Sequence, residues 1–558
     1  MNYQRYQAIP TVNLQDRRWP SSRITKAPQW CSVDLRDGNQ ALEVPMTLEQ
    51  KVDFFDFLYE TGFKTIEIGF PAASETDYNF CRYLIDNNLI PEGVAIQVLT
   101  QSRPHIIEKT MDAVRGAREV VIHLYNSTST LQREVVFGFD RKECIDLAVS
   151  GAKMIREYID GDKSDTRFIC EYSPESFSST EPEFAVAICD AVVDCWQPSA
   201  DNKVIINLPE TVEYQTPNVY ADQVEYFCRN TKWRNQIIVS LHTHNDRGTA
   251  VASSELGIMA GADRVEGTLF GNGERTGNCD IVTLAVNMMM FGIDPGLDFS
   301  DMNKTIDFYE ECTGMKVSLR HPWAGKLVFT AFSGSHQDAI NKGKKRMEDT
   351  ASQYWEVPYL PIDPGDVGRD YEPIIRINSQ SGRGGIAYVL DTYFGIRLPK
   401  SFLRDFLPAV KSETEKNGSE SELLPKQVFD MFDDLYINVM EPYGLKNFSE
   451  NQDSDQVSTV HAVIIDNDRE VEIEGRGNGL LDAFVNAMRN YTGVGFAIRD
   501  YSEHSMKSGS DSAAITYIEI ENDDNHNVYI GAGVSSSVTK SSVRAVICAY
   551  NRMINVLR

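Results

Sequence analysis

"SVDLRDGNQ", residues 32–40, reads as a short buried strand that runs into charged and amide side chains. Gly38 and Asn39 suit a turn, since both residue types tolerate positive φ angles. Turn chemistry alone explains the stretch if it stands by itself. A functional interpretation requires that other strands of the chain end in the same way.

Eight short runs rich in β-branched residues follow one another, and helix-like segments such as 47–62 and 247–262 separate them. The predicted strands are 32–37, 65–71, 95–100, 119–125, 167–174, 203–209, 237–245 and 263–271. Eight alternations over about 240 residues predict a (β/α)8 TIM barrel. A doubly wound α/β sheet is the alternative.

Polar or ionisable side chains stand near the carboxyl end of each predicted strand. In a (β/α)8 barrel these ends form one face, on which active sites are built. The residues are Arg36, Asp37, Glu67, Thr100, His123, Glu171, Ser173, Glu175, Asn207, His242, His244 and Glu266. Their recurrence favours a catalytic role for Asp37 over turn chemistry alone.

His242 and His244 are separated by one residue on a predicted strand, so both rings point to the same face. Asp37 ends the first strand, two places from the seventh in a closed barrel, and Asn278 follows the eighth strand between them. Two imidazoles, a carboxylate and an amide oxygen leave coordination positions open. This donor set suits a catalytic Mg²⁺, Mn²⁺ or Zn²⁺.

The loop "GNGERTGN" (271–278) is rich in glycine but matches neither a dinucleotide-binding fingerprint nor a P-loop. We expect its backbone to approach the metal and an anionic ligand. Arg275 within it is predicted either to form a salt bridge or to contact that ligand.

The length and composition limit the number of domains and argue against several classes of function. The 558 residues predict two to four domains. A formal net charge of −27 argues against nucleic-acid binding and against docking on an anionic membrane. Ten cysteines without CxxC pairs indicate reduced thiols and a cytoplasmic location. The first 20 residues lack an apolar signal region, and the chain contains no 18-residue apolar run.

Six motifs accompany the predicted strands in order, and three more follow the barrel. The first six are "LRDGNQ", "EIGFPAAS", "EYSPE", "INLPETV", "HTHNDRGTA" and "GNGERTGN". The later three are "SGSHQDAI" (333–340), "VGRDYEPIIRINSQSGRGG" (367–385) and "EHSMKSGSDSAA" (503–514). Over nearly all of its length the chain resembles the 2-isopropylmalate synthase family, which belongs to the metal-dependent acyl-CoA condensing barrels.

The resemblance implies a homodimer that condenses acetyl-CoA with 2-oxoisovalerate to 2-isopropylmalate and CoA, the first committed step of leucine biosynthesis. It also allows a monovalent cation as activator. Arg36 is implied to stabilise the alkoxide, and the base is left open between Glu175 and His336, with Tyr371 assisting. Substrate contacts are carried over to Arg36, His123, Ser173, Asn207, Pro209 and Thr211. His336 and Tyr371 are implied to reach the active site of the partner subunit; a helix cap and a packed ring are the structural alternatives.

Four regions are predicted along the chain. They are an N-terminal arm at 1–30, the barrel at 31–310, linker subdomains at 311–426 and a C-terminal domain at 427–558. The linker region is expected to be helical, with an exposed polar segment at 411–422.

The C-terminal domain contains two similar segments, 461–488 and 516–550, each with strand, turn, strand, Gly-x-Gly and helix. Such a duplication predicts one α/β domain built from two ββα units. The resemblance implies that it binds leucine as a feedback inhibitor; a dimerisation module without ligand is the alternative. The residues assigned to this regulatory site are Gly475, Gly477, Asp511, Gly531 and Gly533. Met506 and Lys507 stand where smaller residues are expected in relatives, which leaves feedback sensitivity open.

Other functions are compatible with the same barrel. A homocitrate or citramalate synthase uses a different 2-oxo acid, and a lyase cleaves a carbon–carbon bond on the same kind of metal site. A non-catalytic amino-acid sensor is a third class, which the presence of Arg36, Asp37, His242 and His244 disfavours.

Overall fold

The computed structural model of the chain describes residues 11–331, 334–371, 382–416, 423–454, 457–506 and 512–557. These residues form two compact units. One comprises the chain up to Phe329 together with Ile362–Asp370, and the other comprises Thr330–Pro361 together with the chain from Tyr371 onward.

Eight parallel strands close into a barrel in the first unit, in the order of the sequence, with β8 paired to β1. They are β1 (Gln29–Ser32), β2 (Thr65–Gly69), β3 (Ala95–Gln101), β4 (Glu119–Ser127), β5 (Arg167–Glu175), β6 (Val204–Glu210), β7 (Ile237–Thr243) and β8 (Arg264–Gly267). The predicted (β/α)8 barrel is therefore confirmed, and the doubly wound sheet is excluded.

Helices follow the strands. They are α1 (Leu48–Thr61), α2 (Glu75–Asp86), α3 (Pro104–Ala113), α4 (Thr130–Gln132), α5 (Arg141–Gly161), α6 (Pro182–Trp196), α7 (Pro217–Asn230), α8 (Ala250–Met259), α9 (Ile281–Met290) and α10 (Met302–Thr313). Local sequence sets their ends. For example, Thr47 and Gln50 form a capping box at the start of α1, and Gly62 ends it with a φ of 117°.

The first predicted strand, 32–37, is wrong after Ser32. The chain leaves the sheet at Val33 and forms a π-helical turn at Asp34–Gly38, in which the backbone N–H groups of Arg36 and Gly38 both donate to the carbonyl of Val33. The buried carboxyl of Asp34 supports the turn by accepting from the backbone N–H of Leu269. A turn at this point brings Arg36 and Asp37 to the mouth of the barrel.

A strand and a helix span the predicted domain boundaries at residues 30 and 310. β1 begins at Gln29, so two residues of the predicted arm belong to the barrel, and residue 310 falls inside α10. The eighth strand ends at Gly267 rather than at residue 271. The chain turns at Leu269–Gly271, where Phe270 has a φ of 55°.

The second unit contains helices and two antiparallel sheets. The helices are α11 (Gly334–Thr350), α12 (Arg383–Phe394), α13 (Lys400–Lys416), α14 (Pro425–Tyr436), α15 (Gly479–Thr492) and α16 (Val538–Leu557). The strands are β9 (Tyr443–Ser454), β10 (Val457–Asp466), β11 (Arg469–Gly477), β12 (Phe496–Ser505), β13 (Ala514–Asn522) and β14 (Val528–Ser535). A helical region before the C-terminal domain was predicted, and the helices α11–α13 agree with it.

The C-terminal domain is duplicated as predicted, but each unit has three strands before its helix instead of two. The sheets have the orders β11-β10-β9 and β12-β13-β14. The unpredicted strands β9 and β12 are edge strands with many exposed polar residues. Their sequences therefore lack the apolar alternation that marks a half-buried strand.

The two Gly-x-Gly pairs lie on β11 and β14, where a helix packs directly on the strand. A Cβ on Gly475 would lie 2.3 Å from the carbonyl oxygen of Ala483, and one on Gly531 would lie 2.2 Å from the backbone nitrogen of Ala549. Gly477 and Gly533 have equally close backbone neighbours. The glycines thus permit close approach of α15 and α16 to the sheets.

The first six residues of the predicted linker segment 411–422 belong to α13 instead. Phe402, Phe406, Val410 and Thr414 are buried at a spacing of four, so the buried stripe continues through a polar stretch of sequence. A prediction from composition alone misses this stripe because its last member is a threonine.

None of the helices in the described part of the chain is both long and apolar enough to cross a membrane.

Candidate active site

A cleft of about 310 Å³ opens at the carboxyl ends of the barrel strands. This volume is at the lower end of the range of ~300–1,000 Å³ that is usual for small-molecule sites. Its lining residues are Arg36, Asp37, Gln40, Phe70, Leu99, His123, Tyr125, Ser173, Glu175, Asn207, Pro209, Thr211, His242, His244, Glu274 and Arg275. Ten of the predicted site residues are therefore brought together by the fold.

Three buried side chains converge at one side of the cleft. Nε2 of His242 lies 3.1 Å from Oδ2 of Asp37, and Nε2 of His244 lies 3.7 Å from the same oxygen. One donor atom from each of the three residues lies within 4.8 Å of the others, which is a spacing that can hold a metal ion. Strands β7 and β1 are two places apart in the closed barrel, as the sequence predicted.

Asn278 pairs with His244 through the backbone, and its side-chain Nδ2 donates to the carbonyl of Asn272 at 2.9 Å. Its Oδ1 is buried and has no hydrogen-bond partner among the described residues, and the same holds for Nδ1 of His244. Buried polar atoms are normally satisfied. Two imidazoles, a carboxylate and an unsatisfied amide oxygen fit a divalent cation with open positions.

Electrostatics favours cation binding at two of the three side chains, Asp37 and His244. Burial by itself would raise the pKa of Asp37, but Arg36 and His242 outweigh it and hold this pKa well below its usual range. Burial and the neighbouring His242 lower the pKa of His244 to about 4. At neutral pH Asp37 is therefore an ionised carboxylate and His244 a neutral imidazole, which are the ligand forms that bind metals. Burial by itself would lower the pKa of His242, but Asp37 and Glu266 raise it to about 9, so a bound metal ion would displace a proton from this imidazole.

Arg36 is held in place by two carboxylates. Its Nε donates to Oε1 of Glu67, and its Nη1 lies 3.1 Å from Oδ1 of Asp37. Glu67 is fully buried in the middle of β2, whereas Arg36 lines the cleft. A planar guanidinium fixed in this way presents its remaining N–H groups in a defined direction.

His123, Ser173 and Asn207 form a connected row across β4, β5 and β6. Nε2 of His123 lies 2.7 Å from Oγ of Ser173, which accepts from Nδ2 of Asn207 at 3.0 Å. Nδ1 of His123 lies 2.8 Å from Glu67, so this row is connected to the carboxylate that holds Arg36.

Thr211 and Glu175 continue the lining beyond this row. The hydroxyl of Thr211 accepts from the backbone N–H of Ser176 at 2.9 Å, and the carboxylate of Glu175 accepts from Oγ of Ser127 at 2.5 Å. Arg275 forms a salt bridge with Asp246 at 2.7 Å and donates to the carbonyl of Thr211, which agrees with the salt-bridge alternative.

Thr100 does not belong to the cleft, and the prediction that placed it there is wrong. Its hydroxyl accepts from Thr110 of α3, so it faces the helices. Side chains alternate along a strand, and on β3 it is Gln97 and Leu99 that point into the barrel. The alternation within "AIQVLT" could have identified both residues, because a glutamine stands among apolar neighbours.

Comparison with known proteins shows the family of this chain. A family model described as HMGL-like matches residues 27–308, one for the alpha-isopropylmalate synthase post-catalytic domain matches 326–391, and one for the LeuA allosteric (dimerisation) domain matches 422–554. The 2-isopropylmalate synthase of Acetoanaerobium sticklandii is 56% identical over 557 residues, which cover 99% of this chain and 97% of that protein.

The chain belongs to the 2-isopropylmalate synthase family. The enzymes of that name from Clostridium acetobutylicum and Rhodospirillum rubrum are 51% and 50% identical. The first comparison covers 99% of both chains, and the second covers 98% of both. The resemblance inferred from the nine sequence motifs is confirmed.

His336 and Tyr371, which the resemblance to 2-isopropylmalate synthases implied near the chemistry, are not among the residues that line the cleft. Both belong to the second unit. His336 is exposed in the first turn of α11, with its ring stacked on Tyr359 at 4.0 Å. The hydroxyl of Tyr371 is buried and has no partner among the described residues. Their role in a 2-isopropylmalate synthase active site stays a prediction.

Residues 422–554 match an allosteric (dimerisation) domain, as expected for a regulated member of the 2-isopropylmalate synthase family. The predicted regulatory residues Gly475, Gly477, Gly531 and Gly533 lie within it. Asp511 and Lys507 lie outside the described residues.

Proposed function

We propose that this chain condenses acetyl-CoA with 2-oxoisovalerate to form 2-isopropylmalate and free CoA. The observation that carries the proposal is the convergence of Asp37, His242 and His244 beside Arg36 in one small cleft of a barrel of this family. The unsatisfied Oδ1 of Asn278 supports the same site.

The reaction requires a carbon–carbon bond between the methyl carbon of the acetyl group and the ketone carbon of the 2-oxo acid. A divalent ion, Mg²⁺, Mn²⁺ or Zn²⁺, would be held by Asp37, His242, His244 and Asn278 and would act as a Lewis acid toward that ketone. Arg36 lies beside Asp37 and can stabilise the negative charge that develops on the ketone oxygen.

A base must remove a proton from the acetyl methyl group before the bond forms. Glu175 lines the cleft and is the carboxylate we assign to this step from the geometry. His336, with Tyr371, remains the alternative that the family resemblance implies. Water then hydrolyses the thioester and releases CoA.

Besides the aromatic rings of Phe70 and Tyr125, the lining contains the aliphatic side chains of Leu99 and Pro209. We assign them to the branched apolar end of 2-oxoisovalerate. His123, Ser173, Asn207 and Thr211 supply hydrogen-bonding groups for the carboxylate end.

The test is the release of thiol from acetyl-CoA in the presence of a panel of 2-oxo acids. We expect release with 2-oxoisovalerate and much less with 2-oxoglutarate or pyruvate, which homocitrate and citramalate synthases use. Release of thiol with pyruvate in preference to 2-oxoisovalerate would assign the chain to the citramalate reaction. No release with any of these acids would overturn the proposal.

The C-terminal domain supports a second part of the proposal, in which the enzyme is a homodimer that leucine inhibits. Its match to an allosteric (dimerisation) domain model supports regulation and dimer formation, and leucine is the end product that such a domain would sense. Sedimentation of the full chain tests the dimer, and a monomer at micromolar concentration would contradict it.

A further inference from the structure

Arg264 lies inside the barrel, beneath the floor of the cleft, and only 1% of it is exposed. It stands two residues before Glu266 on β8, so both side chains point into the barrel. The sequence carries no sign of a functional role for Arg264, because a charged residue near the start of a strand does not lie on the catalytic face of a barrel. No part of the reaction described above requires contact between Arg264 and substrate.

One edge of the Arg264 guanidinium supports the proposed metal ligands. Nη1 donates to Oε1 of Glu266 at 2.6 Å and to Oγ of Ser240 at 3.0 Å. The other carboxylate oxygen of Glu266 lies 2.8 Å from Nδ1 of His242. Two contacts thus connect Arg264 to the imidazole that faces Asp37.

The other edge supports the residues that hold Arg36. Nη2 of Arg264 donates to Oε1 of Gln97 at 2.7 Å, and Nε2 of Gln97 donates to Oε2 of Glu67 at 2.7 Å. Glu67 in turn accepts from Nε of Arg36. The same amide nitrogen of Gln97 lies 3.2 Å from Glu266, which joins the two sides.

We propose that Arg264 is a positioning residue. Through Glu266 it holds the metal ligand His242 in place, and through Gln97 it supports the residues that hold the charge-stabilising Arg36. The inference rests on the proposed metal site. A guanidinium suits this position because its fork directs separate N–H groups to separate acceptors, which a single ammonium group cannot do. It also balances the charge of buried carboxylates, which include Glu171 at 3.4 Å.

Arg264→Lys tests the role, because it keeps the charge and removes the fork. Arg133→Lys is the matched control. Arg133 is also buried, binds Glu181 and packs on Phe184, and none of its hydrogen bonds reaches His242, Glu266 or Gln97. The measurements are the affinity of the apoprotein for Mn²⁺ by calorimetry, the thermal midpoint, and turnover at saturating metal.

We expect Arg264→Lys to weaken Mn²⁺ binding by roughly 10-fold or more, the size usual for loss of a partner of a metal ligand. Turnover at saturating metal should fall as well, because Arg36 also loses support. Arg133→Lys should leave both quantities unchanged. A folded Arg264→Lys protein with the Mn²⁺ affinity and turnover of the wild type would overturn the inference, as would an equal loss in Arg133→Lys.

If Arg264→Lys does not fold, the double variant Arg264→Gln/Glu171→Gln removes one buried positive and one buried negative charge together. Its Mn²⁺ affinity is compared with that of Glu171→Gln alone, and equal affinities would contradict the positioning role.

Asp37→Asn separates this inference from the proposed site. If Asp37→Asn binds Mn²⁺ like the wild type, the metal site itself is wrong; if it loses Mn²⁺ and the Arg264 variants do not, only the inference fails.

Discussion

Nδ1 of His242 lies 2.8 Å from Oε2 of Glu266, and both side chains are buried. A carboxylate at this position accepts the Nδ1 proton, so Nε2 is the nitrogen that points toward Asp37. The contact lies between neighbouring strands, β7 and β8, at residues that pair directly. The ligand geometry at the cleft is therefore set by the barrel itself.

Asp37→Asn should leave the fold intact and greatly weaken binding of a divalent ion, because asparagine has the size of aspartate without its charge. Calorimetric titration of the apoprotein with Mn²⁺ measures the loss, and turnover should fall with it. Asp34→Asn is the matched control, since Asp34 is buried in the same turn and does not line the cleft. Unchanged ion binding in Asp37→Asn would show that the site is wrongly assigned.

Arg36→Lys should lower turnover by roughly 10²-fold or more, the size seen when a donor to a developing oxyanion is removed. A lysine keeps the charge but cannot contact both Glu67 and Asp37 in the fixed geometry of a guanidinium. Steady-state kinetics at saturating metal provide the measurement. Wild-type turnover would mean that Arg36 serves only the turn at Asp34–Gly38.

Leu99→Ala should change the preference among 2-oxo acids, because it removes an aliphatic side chain from the cleft wall. We expect the ratio of kcat/KM for a 2-oxo acid one methylene longer to that for 2-oxoisovalerate to rise by about 10-fold, since one methylene is worth about 1–3 kcal/mol. Leu208→Ala is the control. Leu208 is buried next to Asn207 but faces the opposite side of β6, so its loss should reduce stability and leave the ratio unchanged.

Asp34 should make stability depend on pH. Burial, opposed by hydrogen bonds from Ser32 and Leu269, raises the pKa of Asp34 to about 7. The folded state therefore holds this proton more tightly than the unfolded state, and stability falls as pH rises from about 4 to about 7. At about 1.4 kcal/mol per tenfold change in the proton equilibrium, the loss is about 4 kcal/mol.

Urea denaturation of wild type and Asp34→Asn at a series of pH values checks this sign. The free energy of unfolding of the variant, relative to the wild type, should increase from pH 4 to pH 7 and then level off. A difference that stays constant over this range would show that Asp34 is ionised in the folded protein throughout.

Leucine should inhibit the full chain, and it should bind with higher affinity than valine or isoleucine in calorimetry of the intact protein. The effect should be reciprocal, so that 2-oxoisovalerate weakens leucine binding if leucine weakens substrate binding. Asp511→Asn should reduce leucine binding and leave uninhibited turnover unchanged, because Asp511 is predicted to receive the ammonium group. Tight leucine binding by Asp511→Asn would remove that residue from the regulatory site.

Much of the barrel and of its site could be predicted from local sequence. The spacing of His242 and His244 places both rings on one face of a strand, whatever the rest of the chain does. The alternation of eight strands and helices implies that the carboxyl ends meet at one face, where Asp37 and Asn207 then lie. In the C-terminal domain, the repeated Gly-x-Gly predicted the duplication, and close helix packing at Gly475 and Gly531 explains why glycine is required there.

Other features depend on partners that are distant in the sequence. The strand that begins at Gln29 stops at Ser32, and the turn after it is held by Asp34, which accepts from the backbone N–H of Leu269 across the closure between β1 and β8. No local pattern within residues 29–38 contains that information. The edge strands β9 and β12 likewise could not be predicted from the sequence, because exposed edge strands need no apolar face.

The polar layer beneath the cleft shows the difference most clearly. Residue types and strand periodicity identify the side chains that face the substrate, because those depend only on position along each strand. Gln97 and Arg264 are 167 residues apart, and their hydrogen bond exists only because β3 and β8 enclose the same interior. Closure of the barrel decides which buried charges neutralise one another, since Coulomb and hydrogen-bond energies depend on distances in space rather than along the chain.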